Sequence, residues 1–143
     1  MGTGTSAALS GPRARSAGLA SAFREAHPNG PGGQTMPLYL TRFSYTPETW
    51  ARLLDNPEDR RQAAQTYIES VGGRLHGFWY AFGPHDGYTL WEAPDNVSMA
   101  AVALAIAAGG ALSPLETTVL MSVEETMEAM GRAHQVRYRP PGT

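Results

Sequence analysis

Two aromatic-rich segments separated by three residues constrain this chain more than any other feature. Residues 74–82 read RLHGFWYAF, residues 86–93 read DGYTLWEA, and Gly83-Pro84-His85 lies between them. Both segments have the composition of strands and are bounded by turn-forming residues. So short a link permits only an antiparallel hairpin, because a parallel return needs a crossover of about a dozen residues or more.

The flanking sequence supplies an element on each side of that hairpin. Pro37 to Tyr45 (PLYLTRFSY) reads as a first strand. Thr46-Pro47-Glu48 then offers an N-cap, a proline at the first helical position and an early acid. The helix that follows carries Trp50, Leu53 and Leu54, breaks at Asn56-Pro57, and resumes with Ala64, Tyr67, Ile68 and Val71 at helical spacing. Gly72-Gly73 ends it. After the hairpin, Asp95 caps a second helix with Met99, Val102, Ala103 and Ile106 inward, and Gly109-Gly110 closes it. Leu115 to Met121 is the fourth strand, and Ser122 with Glu125 forms a capping box for a short helix ending at Gly131. The order βαββαβ is the ferredoxin-like, split βαβ arrangement. It predicts an α+β fold with both helices on one face of a four-stranded antiparallel sheet.

The expected organisation is a leader over residues 1–35, one domain over 36–131 and a polar tail over 132–143. The leader is rich in Gly, Ala and Ser and ends in a Pro/Gly linker, so it has little apolar surface to offset the entropy of ordering it. Gly2 to Ser6 fits the short myristoylation pattern, and the arginine-containing composition resembles a transit peptide; a plain flexible tail accounts for both. The chain has 143 residues, 42% of them hydrophobic, which suffices for one core. A net charge of −2 without a dense basic patch argues against nucleic-acid or anionic-membrane partners. Cysteine is absent, which excludes thiol catalysis and Cys-type zinc sites and fits a reducing, cytoplasmic setting. No apolar run reaches the length of a membrane span, roughly 18 residues.

Alternation assigns the hairpin's side chains to two faces. A turn centred on Pro84 pairs His76 with Glu92, Phe78 with Leu90, Tyr80 with Tyr88 and Phe82 with Asp86 on one side. Leu75, Gly77, Trp79 and Ala81 fall on the other with Ala93, Trp91, Thr89 and Gly87, where alternating large and small residues suit an Ala-rich helix. The first face is too apolar to stay bare. A second copy of the chain is its simplest cover, so a homodimer with sheets face to face is expected.

These segments resemble a known family. LYLTRFSYTPE, the glycine pair before GRLHGFWYAFG, and FGPHDGYTLWEAPD are similar to the GYD family of small bacterial proteins, over roughly Met36 to Met130. The resemblance implies the dimeric α/β-barrel group. The family's Gly-x-Tyr-Asp motif falls on Gly83 to Asp86, with His85 in place of the tyrosine.

The face expected between sheets carries the candidate chemistry. His76 opposite Glu92 matches a general base with an orienting partner, or equally a cross-strand pair near the sheet edge. Tyr80, Tyr88, Phe78, Asp86, His85 and Arg42 are candidate ligand contacts; the plain alternatives are a turn-bonding Asp86, an exposed His85 and a strand-edge Arg42. His76 and His85 with a carboxylate match no established metal motif, so neither metal nor cofactor is expected. No phosphate loop, dinucleotide fingerprint, serine elbow or zinc-protease motif occurs. Three functions remain: a homodimeric binder of a small apolar or aromatic molecule, a cofactor-free enzyme of monooxygenase or isomerase type by analogy with the wider group, or a structural assembly unit.

Overall fold

A computed structural model describes residues 36–143; the leader expected over 1–35 lies outside the described residues. The elements are β1 (Leu38–Tyr45), α1 (Pro47–Asp55), α2 (Arg61–Glu69), β2 (Arg74–Tyr80), β3 (Gly87–Glu92), α3 (Asn96–Gly109), β4 (Leu112–Leu120) and α4 (Val123–Ala133). The four strands form one antiparallel sheet in the order β2-β3-β1-β4. This is the α+β ferredoxin-like fold, with β1 and β3 central.

Local signals do what their chemistry dictates. The Thr46, Asp95 and Ser122 side chains each accept the amide of the residue three positions on, and Ser122 and Glu125 form a complete capping box. These bonds satisfy donors that a helix start leaves free. Gly72 and Gly110 end α2 and α3 with φ of 81° and 71°, a region disfavoured for residues with a Cβ. Several boundaries differ from expectation; β2 ends at Tyr80 and β3 spans Gly87–Glu92. α4 runs through Gly131 to Ala133. β4 begins three residues early, with Ser113 and Pro114 forming an irregular stretch between the β1 partners Leu115 and Leu112. An edge strand tolerates a proline there because one side of its ladder is unpaired.

One face of the sheet packs against helices. Tyr39, Trp91 and Ala93 cluster with Ile68 of α2 and Val102 of α3, joined by Tyr67, Val71, Leu75, Met99 and Ile106. The Tyr39 hydroxyl donates to Asn96 Oδ1 at 2.8 Å, fixing β1 to the start of α3. Leu54 of α1 is exposed. On the opposite face Leu38 and Leu90 cluster with Leu120.

The hairpin register departs from the expected pairing, and the departure changes which aromatics face the helices. Near the turn, Tyr80 pairs with Gly87, Trp79 with Tyr88 and Phe78 with Thr89. Beyond a bulge between Leu75 and Gly77, Leu75 pairs with Trp91 and Arg74 with Glu92. His76 is the inserted residue, so alternation along β2 breaks there. The assignments of Leu75 and of β3 hold. From Gly77 to Tyr80, β2 is reversed: Phe78 and Tyr80 turn toward the helices, and Gly77 and Trp79 toward the opposite face. Contacts bear this out, since Phe78 meets Phe43 edge-on at 5.5 Å and Tyr80 lies 6.3 Å from Trp50 of α1. Phe82 is 95% exposed on the turn.

Gly87 makes room for this arrangement. A Cβ there would meet the buried Phe43 ring at 2.2 Å. Gly87→Ala is expected to destabilise the fold by about 1–3 kcal/mol through overpacking; urea denaturation of the variant checks this.

Candidate functional site

The expected site residues divide among three places. His76 and Glu92 do share the face opposite the helices, with His76 Nε2 3.5 Å from Glu92 Oε2 and side chains 1% and 11% exposed. They meet by a different route from the one expected: Arg74 is the cross-strand partner of Glu92, and His76 reaches it from the bulge. At the other end of β3, Tyr88, Arg42 and Glu116 sit in one register across three strands. Arg42 Nη2 lies 3.1 Å from Glu116 Oε2, His85 Nε2 lies 3.9 Å from the same oxygen, and the His85 ring meets Tyr88 edge-on. Glu116 belongs to this cluster and sequence reasoning missed it, because nothing in the chain fixes the register of β4.

Three buried side-chain nitrogens of this face have no hydrogen-bond partner: Arg42 Nε, His76 Nε2 and His85 Nδ1. The helix face contributes none among the described residues. Buried polar atoms are normally satisfied, so the pattern marks where the chain alone leaves its hydrogen bonding incomplete.

Asp86 has a structural position. Its Oδ2 accepts the Tyr45 backbone N–H at 2.9 Å and the Trp50 indole N–H at 3.1 Å. Its own amide donates to the Phe43 carbonyl, and its carbonyl accepts the Ala81 amide. One residue therefore closes the hairpin, extends the β1 ladder and holds the first turn of α1. The Tyr45 and Trp50 partners lie 41 and 36 residues away in sequence, not within the turn as expected. Trp50 and Phe43 each stack edge-on against Tyr45, whose hydroxyl is 3.2 Å from that of Tyr80. Burial, followed by the Tyr80 hydroxyl, pushes the Tyr45 phenol above the ordinary tyrosine range.

A large concavity lies between the sheet and the helices. It has a volume of about 860 Å³ and is walled by Phe43, Tyr45, Phe78, Trp91, Ile106 and Leu115. Arg52, Glu58 and Arg60 continue the lining along the connection between α1 and α2. Its floor carries Thr89, Thr41 and Thr117, which stand in register on β3, β1 and β4. Sequence reasoning placed candidate ligand contacts on the wrong side here. Phe78 is a wall of this cavity, and Tyr80 packs behind Tyr45. Among the described residues no group of three or more His, Asp and Glu side chains is placed to hold a metal ion, and no helix is long and apolar enough to cross a membrane.

Two outcomes follow from these contacts. Asp86→Ala should cost about 2–3 kcal/mol by orphaning two donors, and Asp86→Asn markedly less, because one amide oxygen can replace Oδ2; paired denaturation curves check the difference. The folded Tyr45 pKa is raised, so its share of stability is present below the unfolded tyrosine value and lost at higher pH. Stability should fall more steeply above about pH 10 in the native protein than in Tyr45→Phe.

Neither a curated protein nor a solved structure matches the chain. The GYD domain family matches residues 39–130, which takes in all of the sheet after Leu38, the hairpin with Asp86, every wall of the cavity and most of α4. The chain therefore belongs to the GYD domain family.

Proposed function

We propose that the protein is a homodimer that binds a small apolar or aromatic molecule in the cavity between its sheet and its helices. The cavity carries this reading. Its volume of about 860 Å³ falls within the roughly 300–1,000 Å³ of small-molecule sites, and its lining is mainly apolar and aromatic with a few polar groups. A packed core leaves no void of that size.

The dimer rests on the other face of the sheet. Half-buried Leu40 and Leu120, beside the buried Leu38 and Leu90, give it an apolar centre. Arg42, His76 and His85 add nitrogens that need partners, and Glu92 and Glu116 lie beside them. A face with unpaired donors and carboxylates together is complementary to itself, as a two-fold interface requires. The binding cavity and the dimer face thus lie on opposite sides of one sheet. A cofactor-free enzyme using His76 as base would need its substrate in the interface instead of the cavity.

Native mass spectrometry of small molecules retained by the purified protein tests the site. An apolar or aromatic species is expected in the native protein and not in Ile106→Trp, which fills the cavity from α3. Equal retention by both proteins would contradict the assignment. Sedimentation tests the pairing: the native chain should be dimeric at micromolar concentration and Leu40→Asp monomeric.

A further inference from the structure

The floor of the cavity shows what kind of molecule it suits. On the helix side of the sheet, side chains fall in three rows across the strands. One row is Tyr80, Gly87, Phe43 and Leu115; another is Leu75, Trp91, Tyr39 and Val119. Both are almost wholly hydrocarbon and aromatic. The row between them is Phe78, Thr89, Thr41 and Thr117. Three hydroxyls therefore lie side by side at the centre of an apolar surface, and all three residues line the cavity.

A count of protons shows that this row is not self-sufficient. The Trp91 indole N–H donates to Thr41 Oγ1 at 2.9 Å. Thr41 Oγ1 and Thr117 Oγ1 are 3.0 Å apart, so one of their two protons fills the bond between them. The other has no acceptor within the trio, whichever threonine donates. The Thr89 hydroxyl, on a residue 5% exposed, has no hydrogen bond to another side chain. When Thr117 supplies the proton between it and Thr41, the hydroxyls of Thr41 and Thr89 remain as donors on adjacent strands, facing one void. A hydroxyl held in apolar surroundings without an acceptor is disfavoured, and a carbonyl oxygen has two lone pairs to receive two donors. The three floor side chains are uncharged; the cations of the lining, Arg52 and Arg60, belong to α1 and its connection to α2.

We infer that the threonine row is an anchor for the neutral carbonyl oxygen of an aromatic ligand, whose rings lie against Phe43, Phe78 and Trp91. The inference rests on the reading of the cavity as a binding site and adds the chemical class of what binds. It assigns Thr41 and Thr89 a ligand-contacting role, with Thr117 donating to Thr41, that β-propensity alone would not require.

Calorimetric titration with two probes of matched shape tests it. 2-Acetylnaphthalene carries the carbonyl, and 2-isopropylnaphthalene replaces it with hydrocarbon. The native protein should bind the ketone about tenfold more tightly than the hydrocarbon. Thr41→Val, Thr89→Val and Thr117→Val keep the shape and remove the hydroxyls; in the triple variant the ketone should fall to the affinity of the hydrocarbon, whose own affinity stays unchanged. Equal binding of both probes by the native protein would overturn the carbonyl anchor and leave the cavity as a site. Absence of binding by either probe would overturn the site and the anchor with it. Circular dichroism and melting curves matching the native protein confirm that the variants are folded.

Discussion

The inserted residue at His76 governs how this sheet is used. A strand has two faces because its side chains alternate, and a single extra residue exchanges them. Without the insertion, the segment Gly77 to Tyr80 would send Trp79 into the helices and Phe78 and Tyr80 away from them. With it, Phe78 and Tyr80 join Phe43, Tyr45 and Trp50 in one aromatic group on the helix side. His76, the inserted residue itself, lies beside Glu92 on the far side. The aromatic cavity wall is thus a consequence of one irregularity on an edge strand.

Asp86 complements the bulge from the other end of the hairpin. The bulge sets the phase of β2, and Asp86 fixes where β1 stops and α1 begins, through the Tyr45 amide and the Trp50 indole. Together they hold the aromatic group between a strand end and a helix start, so that the space beside Phe43 and Phe78 stays open instead of collapsing. This gives the acidic residue of the family motif a physical role that needs no substrate. The tyrosine position of the motif, His85 here, faces the other way, toward Tyr88 and Glu116. The substitution therefore alters the face opposite the cavity.

Much of this was legible in the sequence because local chemistry decides it. Thr46, Asp95 and Ser122 announce helix starts through side-chain bonds to residues three positions away, and Gly72 and Gly110 announce ends through their backbone freedom. The order of elements then leaves few topologies. The proximity of His76 and Glu92 was also readable, since the expected pairing and the bulge place both on one face. What could not be read was the phase of Gly77 to Tyr80. Turn length and a bulge each shift register by one residue, and the aromatic content of both faces gave no preference between them. The threonine row escaped for a related reason: Thr41, Thr89 and Thr117 lie far apart in the chain, and only the registers of two ladders bring them together.

The central claim is that small molecules enter on the helix side of the sheet while the opposite side meets a second copy. Methyl-detected nuclear magnetic resonance of the native protein titrated with 2-acetylnaphthalene tests it most directly, because methyl groups report both faces at once. The account predicts saturable shifts at Thr41, Thr89, Thr117, Ile106 and Leu115, with Leu38, Leu40, Leu90 and Leu120 unmoved. Shifts confined to those last four leucines would contradict it.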